Sequence, residues 1–220
     1  MSSDKSYCKP IDGNNYGVEL SFQKELEKAI EEAIKENKPL ILMGVRFSGK
    51  TTALKIAISK GIIKDPVPVI EISKDKIDEK EKEELKKLIK EEGFKIIEGT
   101  KYEIKYILSD ETYQAGTDKS DESKLKEYLK KIFMKKTEGL KLPDGVIMVE
   151  ANITEEEADK IFECYVEEYL KKQGNNAKTI NVSDLINKKD HFIEMAYLGE
   201  KGKGIFIPQY LKRLIEEYAG

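Results

Sequence analysis

The chain has 220 residues, 39% of them hydrophobic and 37% charged, with a formal net charge of −3. The apolar share supports a sizeable core and excludes a wholly disordered chain, while the charge balance excludes a generally basic nucleic-acid coat. Arg occurs only at Arg46 and Arg213, and Glu supplies 30 of the 42 acids. Such Lys/Glu enrichment is the compositional mark of hyperthermophile proteins. No apolar run approaches the roughly 18 residues that a membrane span needs. The N-terminus lacks the apolar core of a signal peptide, so a cytoplasmic protein without a membrane partner is predicted. His191 is the single histidine, which argues against a multi-His metal site and a Ser-His triad. Cys8 and Cys164 have no metal-ligand spacing and read as two separate, reduced thiols.

Residues 1–18 read as an irregular lead-in around Pro10 and Asp12-Gly13-Asn14-Asn15. From Ser21, the four-residue spacing of Phe22, Leu26, Ile30 and Ile34 predicts a helix that stops at Pro39. Leu40-Ile41-Leu42-Met43 is apolar on both faces, as a buried parallel strand requires. A helix follows over 51–60, then a second buried strand over 67–72. A charged helix is expected over 76–92, closing at Gly93. Residues 102–109 read as a third strand, with a short strand before it at 94–97. A mobile loop is expected at 115–123 and a helix at 124–136. Pro143-Asp144-Gly145 turns into a strand over 146–151. Thr154 and Glu157 form a capping box that opens a helix to about Lys172. Two short helices (183–188 and 191–198), a Gly-rich turn at 199–204 and a helix after Pro208 complete the chain. Strands alternating with helices predict an α/β fold with a mainly parallel sheet. The predicted organisation is the lead-in 1–18, a nucleotide-binding domain over 19–176 and a small, lid-like segment over 177–220.

The most specific feature is Gly44-Val45-Arg46-Phe47-Ser48-Gly49-Lys50-Thr51, which fits G-x-x-x-x-G-K-[ST]. Its glycines let consecutive backbone N–H groups turn onto phosphate oxygens. Lys50 would reach the β- and γ-phosphates, the Thr51 hydroxyl would ligate Mg²⁺, and Thr52 extends the loop into its helix. That helix directs the positive end of its dipole at the same phosphates. The match also lies where it must, after a buried strand and at the start of a helix.

Phosphoryl chemistry needs an acid from a second strand. Glu71 and Glu150 lie within strands and lack a neighbouring Asp, whereas Asp110-Glu111 closes the stretch Tyr106-Ile107-Leu108-Ser109. Asp110 would hold the Mg²⁺ shell, and Glu111 would orient and deprotonate water. Asn152, just beyond the strand 146–151, would sense the γ-phosphate if that strand neighbours the Asp-Glu strand.

With these residues the chain resembles the AAA+ and STAND group of P-loop ATPases, archaeal ATPase type. The resemblance rests on the helix Phe22 to Ile34 and the loop Gly44 to Thr52. It rests also on Ile-Leu-Ser-Asp-Glu with Gln114, and on Val146 to Asn152. It covers about residues 17–153, and only the phosphate loop is highly specific. It implies a three-layer P-loop NTPase fold with strand order 5-1-4-3-2 and a C-terminal helical lid. It also implies arginines acting as finger and sensor, but only Arg46 and Arg213 are present and Arg213 reads as a solvated cation. A finger-driven ring therefore fits less well than a monomer or a switch completed by a protein partner or a second copy.

The expected activity is Mg²⁺-dependent ATP binding and hydrolysis coupled to a conformational change. Two alternatives stand beside it: a P-loop kinase of small molecules or nucleotides, and a nucleotide-dependent module that binds protein or DNA. Asn187-Lys188-Lys189-Asp190 matches the guanine-reading N-K-x-D literally, but Asp110-Glu111 lacks the D-x-x-G form of a GTPase. ATP is therefore preferred to GTP.

Overall fold

In a computed structural model, residues 7–12, 15–44, 48–64, 67–72, 77–108, 141–173, 182–198, 201 and 205–219 are described. The loop expected at 115–123 and the helix at 124–136 lie outside them. The chain forms two compact units, each assembled from separate stretches. One comprises Met1–Gln23, Phe47–Gly61 and Asn152–Gly220, and the other Lys24–Arg46 and Ile62–Ala151.

The second unit carries most of α1 (Gln23–Glu36) and a parallel sheet of β3 (Pro39–Gly44), β4 (Val69–Ile72), β5 (Lys95–Gly99) and β6 (Ile147–Ala151). The architecture is α/β and compatible with a three-layer fold. Leu40, Ile41, Leu42 and Met43 are wholly buried, as their two-faced apolarity requires. One face of the sheet, with Ile41, Met43, Ile72 and Ile97, packs with α3 (Glu79–Lys90) and α4 (Lys101–Leu108). Asn37 ends α1 in the left-handed region (φ 54°), and its carbonyl and side-chain oxygens accept from the backbone N–H groups of Gly93 and Phe94.

Three expectations change in this unit. Residues 101–108 are helix, not strand. The alternation of Ile104, Tyr106 and Leu108 suits a strand, but Ile104, Ile107 and Leu108 equally suit a helical face. A buried capping box decides between them: Thr100 N–H donates to Glu103 Oε2 (2.8 Å) and Glu103 N–H to Thr100 Oγ1 (3.2 Å). The strand beginning at Val69 lies at the edge of the described sheet with Val69 46% exposed, rather than buried. The described sheet runs β4-β5-β3-β6. In chain order this is 2-3-1-4, so the AAA+-like order is not found: β5 pairs directly with β3, where that order would separate them by β6.

The first unit opens on an antiparallel hairpin, β1 (Cys8–Asp12) and β2 (Asn15–Val18), where an irregular lead-in was expected. Asp12 pairs with Asn15 and the register shifts between Pro10 and Asp12, a place where proline costs no ladder hydrogen bond. The unit adds α2 (Lys50–Ser59), α5 (Glu155–Gln173), α6 (Val182–Asn187), α7 (Lys189–Met195) and α8 (Pro208–Ala219). A short pair, β7 (Tyr197–Leu198) and β8 (Ile205–Phe206), completes it. Thr154 and Glu157 make the expected capping box, with Thr154 N–H donating to Glu157 Oε2 (2.8 Å). The backbone N–H of Ser21 also donates to Glu157, tying the chain after the hairpin to α5.

Cys8 and Cys164 are joined in a disulfide, correcting the expectation of separate thiols. Their Cα atoms lie 5.6 Å apart across 156 residues of sequence, a proximity that local reading has no means to foresee. No described helix is long and apolar enough to cross a membrane.

Candidate functional site

The predicted phosphate loop begins at the carboxyl end of β3. Gly44 is the last residue of that strand and pairs with Ala151 of β6. β5 lies on the other side of β3, so the chain places successive strands on opposite sides of it. In open α/β sheets such a switch point, at the carboxyl ends of the strands, is where ligands bind. Val45, Arg46 and Phe47 lie outside the described residues.

From Ser48 the chain belongs to the first unit. Gly49 is the N-cap of α2 with φ 85° and ψ 15°, a left-handed conformation that glycine adopts without strain. No side chain caps α2, and its first turn holds no acid. The helix's own first turn therefore supplies no carboxylate to offset its macrodipole. Lys50, the first helical residue, is only 7% exposed. Ser48 is 1% exposed, and its Oγ is buried without a hydrogen-bond partner. A buried hydroxyl left unpaired costs roughly 1–3 kcal/mol, so a polar ligand that satisfies it gains by that amount. Thr51 is exposed and Thr52 half-buried.

A cavity of about 40 Å³ borders this turn, lined by Gly17 and Val18 of β2, by Ser48, Gly49 and Thr52, and by Tyr165 of α5 among others. It has room for water-sized groups, well short of the roughly 300–1,000 Å³ of a small-molecule pocket. Burial, reinforced by the carboxylates of Glu168 and Glu216, pushes the Tyr165 phenol well above its ordinary range. It therefore stays a neutral hydroxyl. The wall at Gly17 is tight: a Cβ there would stand 2.6 Å from both Thr52 Cγ2 and Ile11 Cδ1.

Asp110 and Glu111 lie outside the described residues, and the segment leading to them is helix α4 rather than a strand. The strand beside β3 is β5, whose Ile96-Ile97-Glu98-Gly99 is itself an apolar run closing on an acid. Glu98 pairs with Leu42 and is buried. The short strand expected at 94–97 falls on β5, and Glu98 follows it directly. Glu150 of β6 pairs with Met43. Asn152 is exposed, one residue beyond Ala151, and its strand neighbours β3. Arg213 is exposed and pairs with Glu217 one turn on (2.6 Å), in keeping with a solvated cation. Lys188 of the N-K-x-D match bonds Tyr218 and pairs with Asp184 (3.4 Å), so it serves the packing of the C-terminal helices.

Among the described residues, no cluster of His, Cys, Asp or Glu is arranged to hold a metal ion. No protein-family model matches the chain, and no curated protein or solved structure is significantly similar to it.

Proposed function

We propose that the chain binds Mg²⁺-ATP through Gly44–Thr52 and hydrolyses it, as a P-loop nucleoside-triphosphatase. The observation that carries this reading is the start of α2. A left-handed Gly49, a helix end with neither cap nor acid, the buried Lys50 and the unpaired Ser48 hydroxyl all favour an anionic ligand. These groups suit a phosphate. The backbone amides and Lys50 bind and orient the β- and γ-phosphates, Ser48 Oγ donates to a phosphate oxygen, and Thr51 Oγ1 would hold the Mg²⁺. The ion, when bound, neutralises charge that develops on the phosphate oxygens.

For the acid that positions water, Asp110-Glu111 and Glu98 both stand. Glu98 is favoured by its place on the strand paired with β3. The γ-phosphate sensor role of Asn152 loses the support it was expected to have, since β6 pairs with β3 and the segment before Asp110-Glu111 is helix. A cytoplasmic location in a hyperthermophile reconciles the disulfide with the Lys/Glu-rich composition, since such organisms retain intracellular disulfides.

A second reading, a P-loop phosphotransferase, gains from the strand order, because the order implied by the ATPase resemblance is not found. A screen of hydroxyl and nucleotide acceptors that shows acceptor-dependent ADP release selects it. The deciding experiment for the first reading is thermal unfolding with ATP, GTP and their Mg²⁺ complexes. A ligand at a hundred times its dissociation constant stabilises the fold by about 2.7 kcal/mol. A Mg²⁺-ATP shift that Lys50→Ala removes is expected, and an equal shift in that variant sinks the reading.

A further inference from the structure

We infer that the Cys8–Cys164 disulfide is a redox latch on the hairpin that walls the phosphate site, and that its reduction admits a nucleobase. The inference rests on the phosphate-binding reading of α2. Four observations in the first unit lead to it. The hairpin packs on the first turn of α2, with no slack between Gly17 and Thr52. The space left between them and α5 is only about 40 Å³. The disulfide fastens β1 to α5, so the hairpin is held between the two helices by a covalent bond. The other ties among the described residues are noncovalent and include Tyr7 with Glu163, Lys171 with Tyr16, Lys60 with Glu19 and the burial of Val18.

The exposed polar ties are worth about 1 kcal/mol or less each and the part-buried Tyr7–Glu163 bond about 1.5–3 kcal/mol. While the disulfide stands, the wall is closed permanently. Once it is reduced, closure becomes an equilibrium resting on noncovalent contacts. Cys164 is wholly buried and Cys8 is half-buried, so exchange begins at the Cys8 sulfur. A dithiol reductant attacks there, Cys164 leaves as thiolate and takes a proton, and the reductant's second thiol displaces Cys8. The reductant ends as its own disulfide, and two electrons and two protons pass to the two cysteines.

The test compares Mg²⁺-ATP with inorganic tripolyphosphate, which carries the same phosphates and no base. Calorimetry is run on the oxidised chain, on the chain reduced with dithiothreitol and on the double variant Cys8→Ser/Cys164→Ser, with circular dichroism on each. In the oxidised chain the two ligands should bind within about twofold of each other. In the two unlatched forms ATP should gain about tenfold or more over tripolyphosphate. An unchanged ratio overturns the latch, and so does loss of the circular dichroism signal on reduction, which makes the disulfide a structural staple. If no form binds either ligand, the phosphate reading fails. The latch is then judged by amide exchange without ligand at Gly17, Val18, Thr52 and Ala53: faster exchange on reduction supports it, and no change overturns it.

Discussion

Helices α2 and α4 both begin just after the carboxyl ends of paired strands, β3 and β5, yet their first turns are opposites. At α4 the chain closes its own helix end. Thr100 and Glu103 exchange hydrogen bonds with each other's backbone, and the acid also offsets the dipole. At α2 the chain supplies glycine where a cap would stand, a lysine at the first position, and no acid. Elsewhere Asp78 caps α3 through the Glu81 N–H (2.8 Å), and Thr154 with Glu157 caps α5. The short α7 lacks a side-chain cap, but Asp190 stands in its first turn. The first turn of α8 also holds no acid, so what sets the start of α2 apart is the unpaired, buried Ser48 hydroxyl beside it.

The comparison breaks most directly at Lys50. Lys50→Ala should weaken Mg²⁺-ATP binding by about a hundredfold or more, because a charge-assisted contact to the phosphates is lost. Calorimetry showing wild-type affinity would end the assignment of α2 as a phosphate site. Next comes the acid. Glu98→Gln and Glu111→Gln should each be assayed for phosphate release and ATP retention. Glu98→Gln is expected to keep ATP while losing about a hundredfold in turnover. If only Glu111→Gln does so, the pair beyond α4 carries the chemistry.

Ser48→Ala sharpens the contrast. It should raise the stability of the ligand-free chain by about 1 kcal/mol, since an unpaired buried hydroxyl is removed, and it should shrink the ATP-induced thermal shift. A less stable ligand-free variant would mean that the hydroxyl is already satisfied. Thr154→Ala should act in the reverse way, costing about 1 kcal/mol of stability with nucleotide binding unchanged, because its capping role is purely structural.

The smallest effect is the pH dependence of α5. Burial alone would raise the Glu168 carboxyl, but hydrogen bonds from Lys172 and Lys212 outweigh it and hold the group below its ordinary 4.5. A depressed acid contributes stability that is fully present above its unfolded value and lost as pH falls through its folded one. Glu168→Gln should therefore flatten the acid limb of the stability curve below about pH 4.5, while denaturation curves near neutrality keep their pH dependence. An unchanged acid limb would show that the Lys172 and Lys212 contacts are too weak to matter.

Local patterns were readable before any fold was known. The helix of α1, the capping box at Thr154, the wholly buried β3 and the helix start at Lys50 all depend on residues within one or two turns of each other. Their physics is carried by the order of side chains along the chain. Residues 101–108 mark where this stops, because one apolar set satisfied both a strand and a helix and the Thr100–Glu103 box tipped the balance. Asp110-Glu111 follows that helix and lies outside the described residues. Strand order and the Cys8–Cys164 pairing were decided only in three dimensions. Both join residues tens to more than a hundred positions apart, and composition and periodicity hold no information on which distant partner a strand or a sulfur will meet. The sequence by itself determined that the G-x-x-x-x-G-K-[ST] pattern ends at the start of a helix. The tertiary structure decided which acid lies on the neighbouring strand and what closes the wall beside it.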